Sequence, residues 1–185
     1  MCIRDSPSLV PTFEDDILET LVRFSDPEDL SLPLVYYHTV QPALKTSRAV
    51  DGLFKAIAAA SVTQAFYFSR AQPDNAHKQL FEALITEVFR DAEGSTRMGD
   101  RSVELVNLPF SSDEEQWFEV YLTHGEGRTL RRSGDTLMMR KIGIGRFEEA
   151  LEIEVAGTYS KTLDGLNWDI IDESLRDGIG TRLEM

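Results

Sequence analysis

The apolar residues of this chain recur at helical spacing over most of its length. Near the start, Phe13, Ile17, Leu18, Leu21 and Val22 fall on one face of a helix, which is predicted over roughly 13–24. A run with paired apolar steps of four predicts the clearest helix, over about 75–90. The pattern therefore favours a helical chain.

Prolines and short polar motifs indicate where further helices begin and end. Pro33 suits the first turn of a helix that Pro42 stops, and Ser47 opens the next one. Two motifs with capping-box spacing, Ser61 to Gln64 and Ser112 to Glu115, predict two more helix starts. Between them, a polar connector is predicted from Glu93 to Arg101, ahead of a short apolar piece, Val103 to Leu108, that Pro109 breaks.

The remaining signals are also those of helices. Glycine pairs at 125 and 127 and at 143 and 145 are typical of helix ends, and no Asn-Gly or Asp-Gly hairpin signal is flanked by alternating apolar residues. We therefore predict an all-α protein of about nine short helices in antiparallel pairs. From Tyr159 onward the apolar pattern thins, so 157–185 is expected to be an acidic tail with one amphipathic helix through Trp168, Ile171 and Leu175.

Composition narrows the class of protein. The 185 residues suit one domain or part of one, and the net charge of -13 disfavours nucleic-acid binding by the whole surface. The charge is uneven: residues 1–30 hold 8 acids and 2 bases, and residues 146–185 hold 10 acids and 4 bases. No run of 18 apolar residues occurs, so membrane insertion is not expected.

No constellation of residues indicates catalysis. The histidines at 38, 77 and 124 lie in different predicted helices without the spacing of a metal site. The doublets Glu114-Glu115 and Glu148-Glu149 point about 100° apart on a helix, and their place in first turns is explained by the helix dipole. We predict no catalytic, cofactor-binding or metal-ligating residue, no cofactor and no small-molecule substrate.

One basic stretch, 128–146, stands out in this acidic chain because it holds six basic residues against Asp135 alone. Such a stretch is typical of a solvated helix face. Alternatively, it is a docking patch for an acidic partner or for the acidic tail. The candidate docking residues are Arg128, Arg131, Arg132, Arg140 and Lys141.

The first six residues, Met1 to Ser6, look foreign to the rest of the chain. Through the genetic code they can be read as a transposon end of the kind used to prepare sequencing libraries, so we expect a sequencing-adaptor scar. The alternative is a genuine N-terminal segment.

Several motifs resemble, in their order along the chain, the helical domain of the ELYS-like family in its fungal form. They are Pro11-Thr12-Phe13, Leu34-Val35-Tyr36-Tyr37, Ala65-Phe66-Tyr67-Phe68, Leu105-Val106-Asn107-Leu108-Pro109, Trp117-Phe118 and Asp135-Thr136-Leu137-Met138-Met139-Arg140. The resemblance covers residues 7–156 and implies an N-terminally truncated domain, since helices expected upstream of Pro7 are missing.

This resemblance implies an irregular helical solenoid that acts as a non-enzymatic scaffold of the nuclear pore complex. The implied partners are other nucleoporins of the Y-shaped outer-ring subcomplex. The implied location is the nucleus, at the nuclear pore complex of the nuclear envelope. Animal relatives touch chromatin through an AT-hook region that this chain lacks, so direct nucleic-acid binding is not expected. A plant relative joins such a domain to a zinc RING, so the alternative function is the scaffold or substrate-binding part of a ubiquitin ligase whose RING lies elsewhere.

Overall fold

A computed structural model describes residues 14–26, 29–42, 44–90, 96–130, 132–155 and 167–183. Within these ranges it contains ten α-helices, one short 3-10 helix and no strand, which confirms the all-α class, whereas the solenoid arrangement stays a prediction. The helices are α1 (Glu14–Phe24), α2 (Ser31–Val40), α3 (Ser47–Ala60), α4 (Val62–Arg70), α5 (Asp74–Phe89), α6 (Thr96–Val106), α7 (Ser112–Thr123), the 3-10 helix (Glu126–Thr129), α8 (Ser133–Gly143), α9 (Phe147–Val155) and α10 (Trp168–Leu183).

The chain divides into two compact units, Met1–Ala60 and Ser61–Met185. The division falls inside the predicted 7–156 region. The boundaries predicted at 6 and 156 stay predictions, and Met1 to Ser6 lie outside the described residues. Among the described residues, no helix has the length and apolar character needed to cross a membrane.

In the first unit, α1, α2 and α3 all pack against one another. The buried apolar side chains come mostly from α3, as its period predicts, and they are Leu18, Ala49, Leu53, Phe54, Ala56, Ile57 and Ala58. Helices α1 and α3 approach closely at Gly52, where a Cβ would lie 3.3 Å from a methyl group of Val22. A Cβ at position 52 would therefore require the Val22 side chain to shift by a few tenths of an ångström.

The second unit is built around aromatic rings from α4, α5, α7 and the segment that joins α6 to α7. Phe66, Phe81 and Phe118 are buried, and the ring of Phe110 lies 5.1 to 5.7 Å from each of theirs. These centroid distances are those of favourable aromatic packing. Phe110 therefore ties the α6–α7 connection, residues 107–111, into the core.

A further apolar cluster lies between α8, α9 and α10. Met138, Ala150 and Trp168 are buried there, and Phe147 and Ile171 pack against them. The helix predicted through Trp168 and Ile171 is thus present as α10, and it contacts α9. The side chain of Leu175 lies outside what the structure describes.

Helix α6 differs from the sequence prediction. The polar connector predicted from Glu93 to Arg101 is wrong from Thr96 onward, because α6 already begins there. Its buried residues Ser102, Leu105 and Val106 share one face, while Val103 is exposed. The helix is strongly amphipathic and polar on average. Its first half therefore has the composition of a loop.

The start of α7 also differs, by one residue. The sequence predicts a capping box that begins at Ser112, but the N-cap is Ser111. Its Oγ accepts a hydrogen bond from the Glu114 N–H at 3.3 Å, and the Glu114 carboxylate accepts one from the Ser111 N–H at 2.6 Å. Two adjacent serines precede two adjacent glutamates, so spacing alone fits either pair. The capping box is formed by Ser111 and Glu114, and the Glu114 side chain is buried.

The cap at Ser111 makes a prediction. Ser111→Ala should lower the free energy of unfolding by about 1 kcal/mol, because it removes the acceptor for an otherwise orphan N–H. Ser112→Ala, the matched control on the neighbouring exposed serine, should change it by less than about 0.5 kcal/mol. Urea denaturation of both variants measures the difference, and equal losses would contradict the assignment of the cap.

Candidate functional site

The structure separates the residues predicted as a docking patch. Arg128 is exposed in the 3-10 helix, whereas Arg132, Arg140 and Lys141 are buried, and Arg131 lies outside the described residues. Arg132 also precedes α8 with a left-handed φ of 70°. Arg140 and Lys141 are engaged in ion pairs inside the chain. The docking role of the stretch stays a prediction.

Arg140 joins α8 to α7 and to the end of α6. Its Nε donates to Oε1 of Glu115 at 2.9 Å, and a second guanidinium nitrogen also contacts that oxygen. The third nitrogen, Nη1, donates to the carbonyls of Val106 and Leu108 at 2.5 and 2.8 Å. Val106 is the last residue of α6, so Arg140 satisfies carbonyls that the helix end leaves open. The guanidinium also lies 4.2 Å from the ring centroid of Phe110.

Arg70 makes the equivalent connection from α4. Its Nε and Nη2 donate to the two carboxylate oxygens of Glu114 at 2.8 and 2.5 Å, which is a bidentate pair. Nη2 also donates to the carbonyl of Pro109 at 2.7 Å. The Glu114 side chain is only 1% exposed, and Nε2 of His77 lies 3.1 Å from its Oε1 without an aligned hydrogen bond. Two arginines therefore hold successive carbonyls of the α6–α7 connection.

The environment of Glu114 lowers its pKa. Burial raises the pKa of this carboxyl, but hydrogen bonds from Arg70 and from the Ser111 N–H, together with the charge of Arg70, outweigh burial. The carboxylate is therefore charged in the folded chain at neutral pH. It is a structural anion, because its oxygens are occupied by donors from α4 and from the start of α7.

Lys141 completes the set by joining α8 to α7 and α9. Its Nζ donates to Glu119 at 2.6 Å and to Glu149 at 2.5 Å. Burial lowers the pKa of Lys141, yet the two carboxylates more than compensate and raise it. The hydrogen bond from Lys141 is also the main reason that the pKa of Glu149 is lowered.

These contacts form what we call the α7 ion-pair set, in which three carboxylates of α7 each meet a cation from another helix. Its members are Glu114 with Arg70, Glu115 with Arg140, and Glu119 with Lys141. Sequence reasoning explains the glutamate doublet by the helix dipole alone and misses its partners. No local signal in the sequence could have found them, because each partner belongs to a different helix from the glutamate that it meets.

The histidines of the second unit make structural contacts within the described part of the chain. In the part of the chain that is described, no group of three or more His, Cys, Asp or Glu residues could hold a metal ion. His77 lies edge-on to Trp117 at 5.2 Å, and Nδ1 of His124 lies 2.7 Å from the Thr123 hydroxyl. Each of these two histidines thus has a local structural contact.

Comparison with known proteins gives one family. Residues 5–125 match the family model ELYS, whose description is nuclear pore complex assembly. The match spans the described helices α1 to α7, so the motif from Asp135 to Arg140 lies beyond it. Neither the curated proteins nor the solved structures yield a match.

The role of Arg140 can be tested by removing its side chain. Arg140→Ala should lower the free energy of unfolding by about 2–4 kcal/mol, because it leaves two buried carbonyls and the partly exposed Glu115 carboxylate without their donor. Arg146→Ala is the control. Arg146 is half exposed and its ion pair with Glu149 is long, at 3.4 Å, so this substitution should cost less than about 1 kcal/mol. Thermal and urea unfolding of both variants measure the costs. Similar small losses would show that Arg140 is not a structural cation.

The lowered pKa of Glu114 predicts acid sensitivity. Because the folded-state pKa lies below the ordinary value of 4.5, the stabilisation is fully present above that value and is lost as the pH falls through the folded-state pKa. Glu114→Gln should therefore reduce stability at neutral pH and flatten the fall of the melting temperature below about pH 5. Glu148→Gln, on an exposed residue, should leave that fall unchanged. If the melting temperature of Glu114→Gln fell with pH as steeply as that of the wild type, this result would contradict the ion pair.

Proposed function

The chain belongs to the ELYS family of nuclear pore complex assembly, and we propose that it is a non-enzymatic scaffold that contacts the Y-shaped outer-ring subcomplex. Membership in this family carries the proposal, because the match covers 121 of the 185 residues, from 5 to 125. The family's role locates the protein at the nuclear pore in the nucleus. The outer-ring subcomplex is the more specific part of the proposal.

The arrangement of charge supports a scaffold. Carboxylates and cations that could have served as acids, bases or ligands are bound to one another in the α7 ion-pair set, where they hold α4, α7 and α8 together. A fold stabilised in this way offers partners a surface of fixed shape. Protein–protein contact is therefore the activity that the described residues support best.

The basic stretch is proposed as one contact with acidic partners. Arg140 and Lys141 have their charges neutralised by glutamates of this chain, so they contribute little field at the surface. Arg128 is exposed, and Arg131 lies three residues further along the sequence. An acidic partner surface would therefore meet Arg128 before the buried members of the predicted patch, Arg132, Arg140 and Lys141.

Affinity purification of the tagged full-length protein tests this function. Gentle lysis followed by mass spectrometry should recover outer-ring nucleoporins, and the double substitution Arg128→Glu with Arg131→Glu should reduce their recovery several-fold, because rim charges steer association. Lys78→Glu on α5 is the matched control and should recover wild-type amounts.

Three results would count against the proposal or a part of it. Absence of outer-ring nucleoporins from the wild-type sample would contradict the scaffold function. Unchanged recovery with the arginine variants would contradict only the contact through Arg128 and Arg131. Recovery of ubiquitin-ligase subunits in place of nucleoporins would favour the other function that the sequence left open.

A further inference from the structure

The turn that follows α7 folds back onto the ring of Tyr121. It contains the 3-10 helix, Glu126–Thr129, and its residue Gly127 is buried. A Cβ at position 127 would lie 2.6 Å from a carbon of the Tyr121 ring and 2.8 Å from the Tyr121 carbonyl oxygen. Those distances are too short for a real Cβ, so the turn needs glycine there in order to lie on the ring. We call residues 125–130 the Arg128 turn.

The support under this turn is itself fixed. Tyr121 is only 9% exposed, and its hydroxyl lies at hydrogen-bond distance, 2.6 Å, from the hydroxyl of Thr86 on α5. The N–H groups of Arg128 and Leu130 donate to carbonyls within the turn at 3.2 and 3.0 Å. The Arg128 turn is therefore held both by its own hydrogen bonds and by the buried ring beneath it.

The turn presents the guanidinium of Arg128 to water. Arg128 is exposed, and no ion pair joins it to another described residue. The acid of the same turn, Glu126, lies two residues earlier, and side chains with that spacing point about 120° apart in a 3-10 helix. Arg128 is thus not neutralised by its neighbour in the turn. A guanidinium in this state can bind a carboxylate through two parallel hydrogen bonds.

Rigid support matters because few cations of the predicted docking patch can be reached. Arg132, Arg140 and Lys141 are buried, so Arg128 is the exposed member among those that the structure describes. A loop that is ordered before binding loses less conformational entropy when it binds than a flexible one does. A contact made through one side chain therefore depends on how firmly that side chain is placed.

We propose that Tyr121 and Gly127 are positioning residues for partner recognition. The Tyr121 ring holds the Arg128 turn in the shape in which Arg128 meets a carboxylate on an acidic surface of a partner protein. This inference rests on the proposed function, from which it takes the partner and the contact through Arg128. It adds that the contact requires the shape of the turn as well as its charge.

Hydrogen exchange tests whether the ring holds the turn. In the full-length protein, the amides of 125–130 should exchange several-fold faster in Gly127→Ala than in the wild type, because the added methyl group displaces the turn from the ring. Tyr121→Leu is a second variant that removes the ring without adding a clash, and it should have the same effect. Gly143→Ala is the control and should leave exchange unchanged, since nothing lies within 4 Å of its Cβ position.

Affinity purification tests whether the shape serves the contact. Gly127→Ala and Arg128→Ala should each lower the recovery of outer-ring nucleoporins several-fold, and the two together should lower it no further, because both remove one contact. A general loss of stability would instead leave Arg128→Ala its full effect in the double variant. Ser111→Ala, which weakens the other end of α7, controls for lost stability and should recover wild-type amounts.

Four outcomes would overturn the inference alone. These are unchanged exchange of the turn in both Gly127→Ala and Tyr121→Leu, wild-type recovery by Gly127→Ala or by Arg128→Ala, losses that multiply in the double variant, and an equal loss of recovery in Ser111→Ala. In each of these cases the wild type still recovers outer-ring nucleoporins, so the proposed function stands. Absence of those nucleoporins from the wild-type sample would contradict the proposed function, and the inference with it.

Discussion

The second unit depends on the neutralisation of charged groups that are buried together. Glu114 and Arg140 are almost completely shielded from water, and a buried charge is costly unless a partner of opposite sign meets it with good geometry. Their partners, Arg70 and Glu115, lie 44 and 25 residues away in sequence. Helix α7 must therefore be held at one position between α4 and α8, and the α6–α7 connection is held with it.

This constraint has a consequence for the surface. Lys141 and Arg140 satisfy carboxylates within the chain, so the most basic stretch of the sequence contributes less open positive charge than its composition suggests. In the first unit the opposite holds, because Arg23 and Arg48 are exposed beside Phe24 in a region of acidic composition. Net charge along a sequence is therefore a poor guide to which cations a partner can reach.

Helix positions are largely predictable, because helical period is a local property. Helices α1 and α5 lie within about a residue of their predicted bounds, and α3 begins at Ser47 as predicted. The errors occur where local signals are weak or duplicated. Helix α6 is polar on average, so its first half has the composition of a connector, and two adjacent serines fit the α7 capping box equally well. The sequence does not predict that the Glu114 side chain is buried, because its partner Arg70 belongs to another helix.

The all-α class and the family resemblance follow from the sequence, since both rest on the order of residues along the chain and on periods of three to four residues. Which charged residues are paired inside and which face water is set by how the helices pack. Arg140 and Arg128 are alike in sequence, yet one satisfies helix carbonyls and a glutamate while the other is exposed. The physical reason is that electrostatic pairing depends on distances between helices that are remote in sequence, whereas helix formation depends on near neighbours.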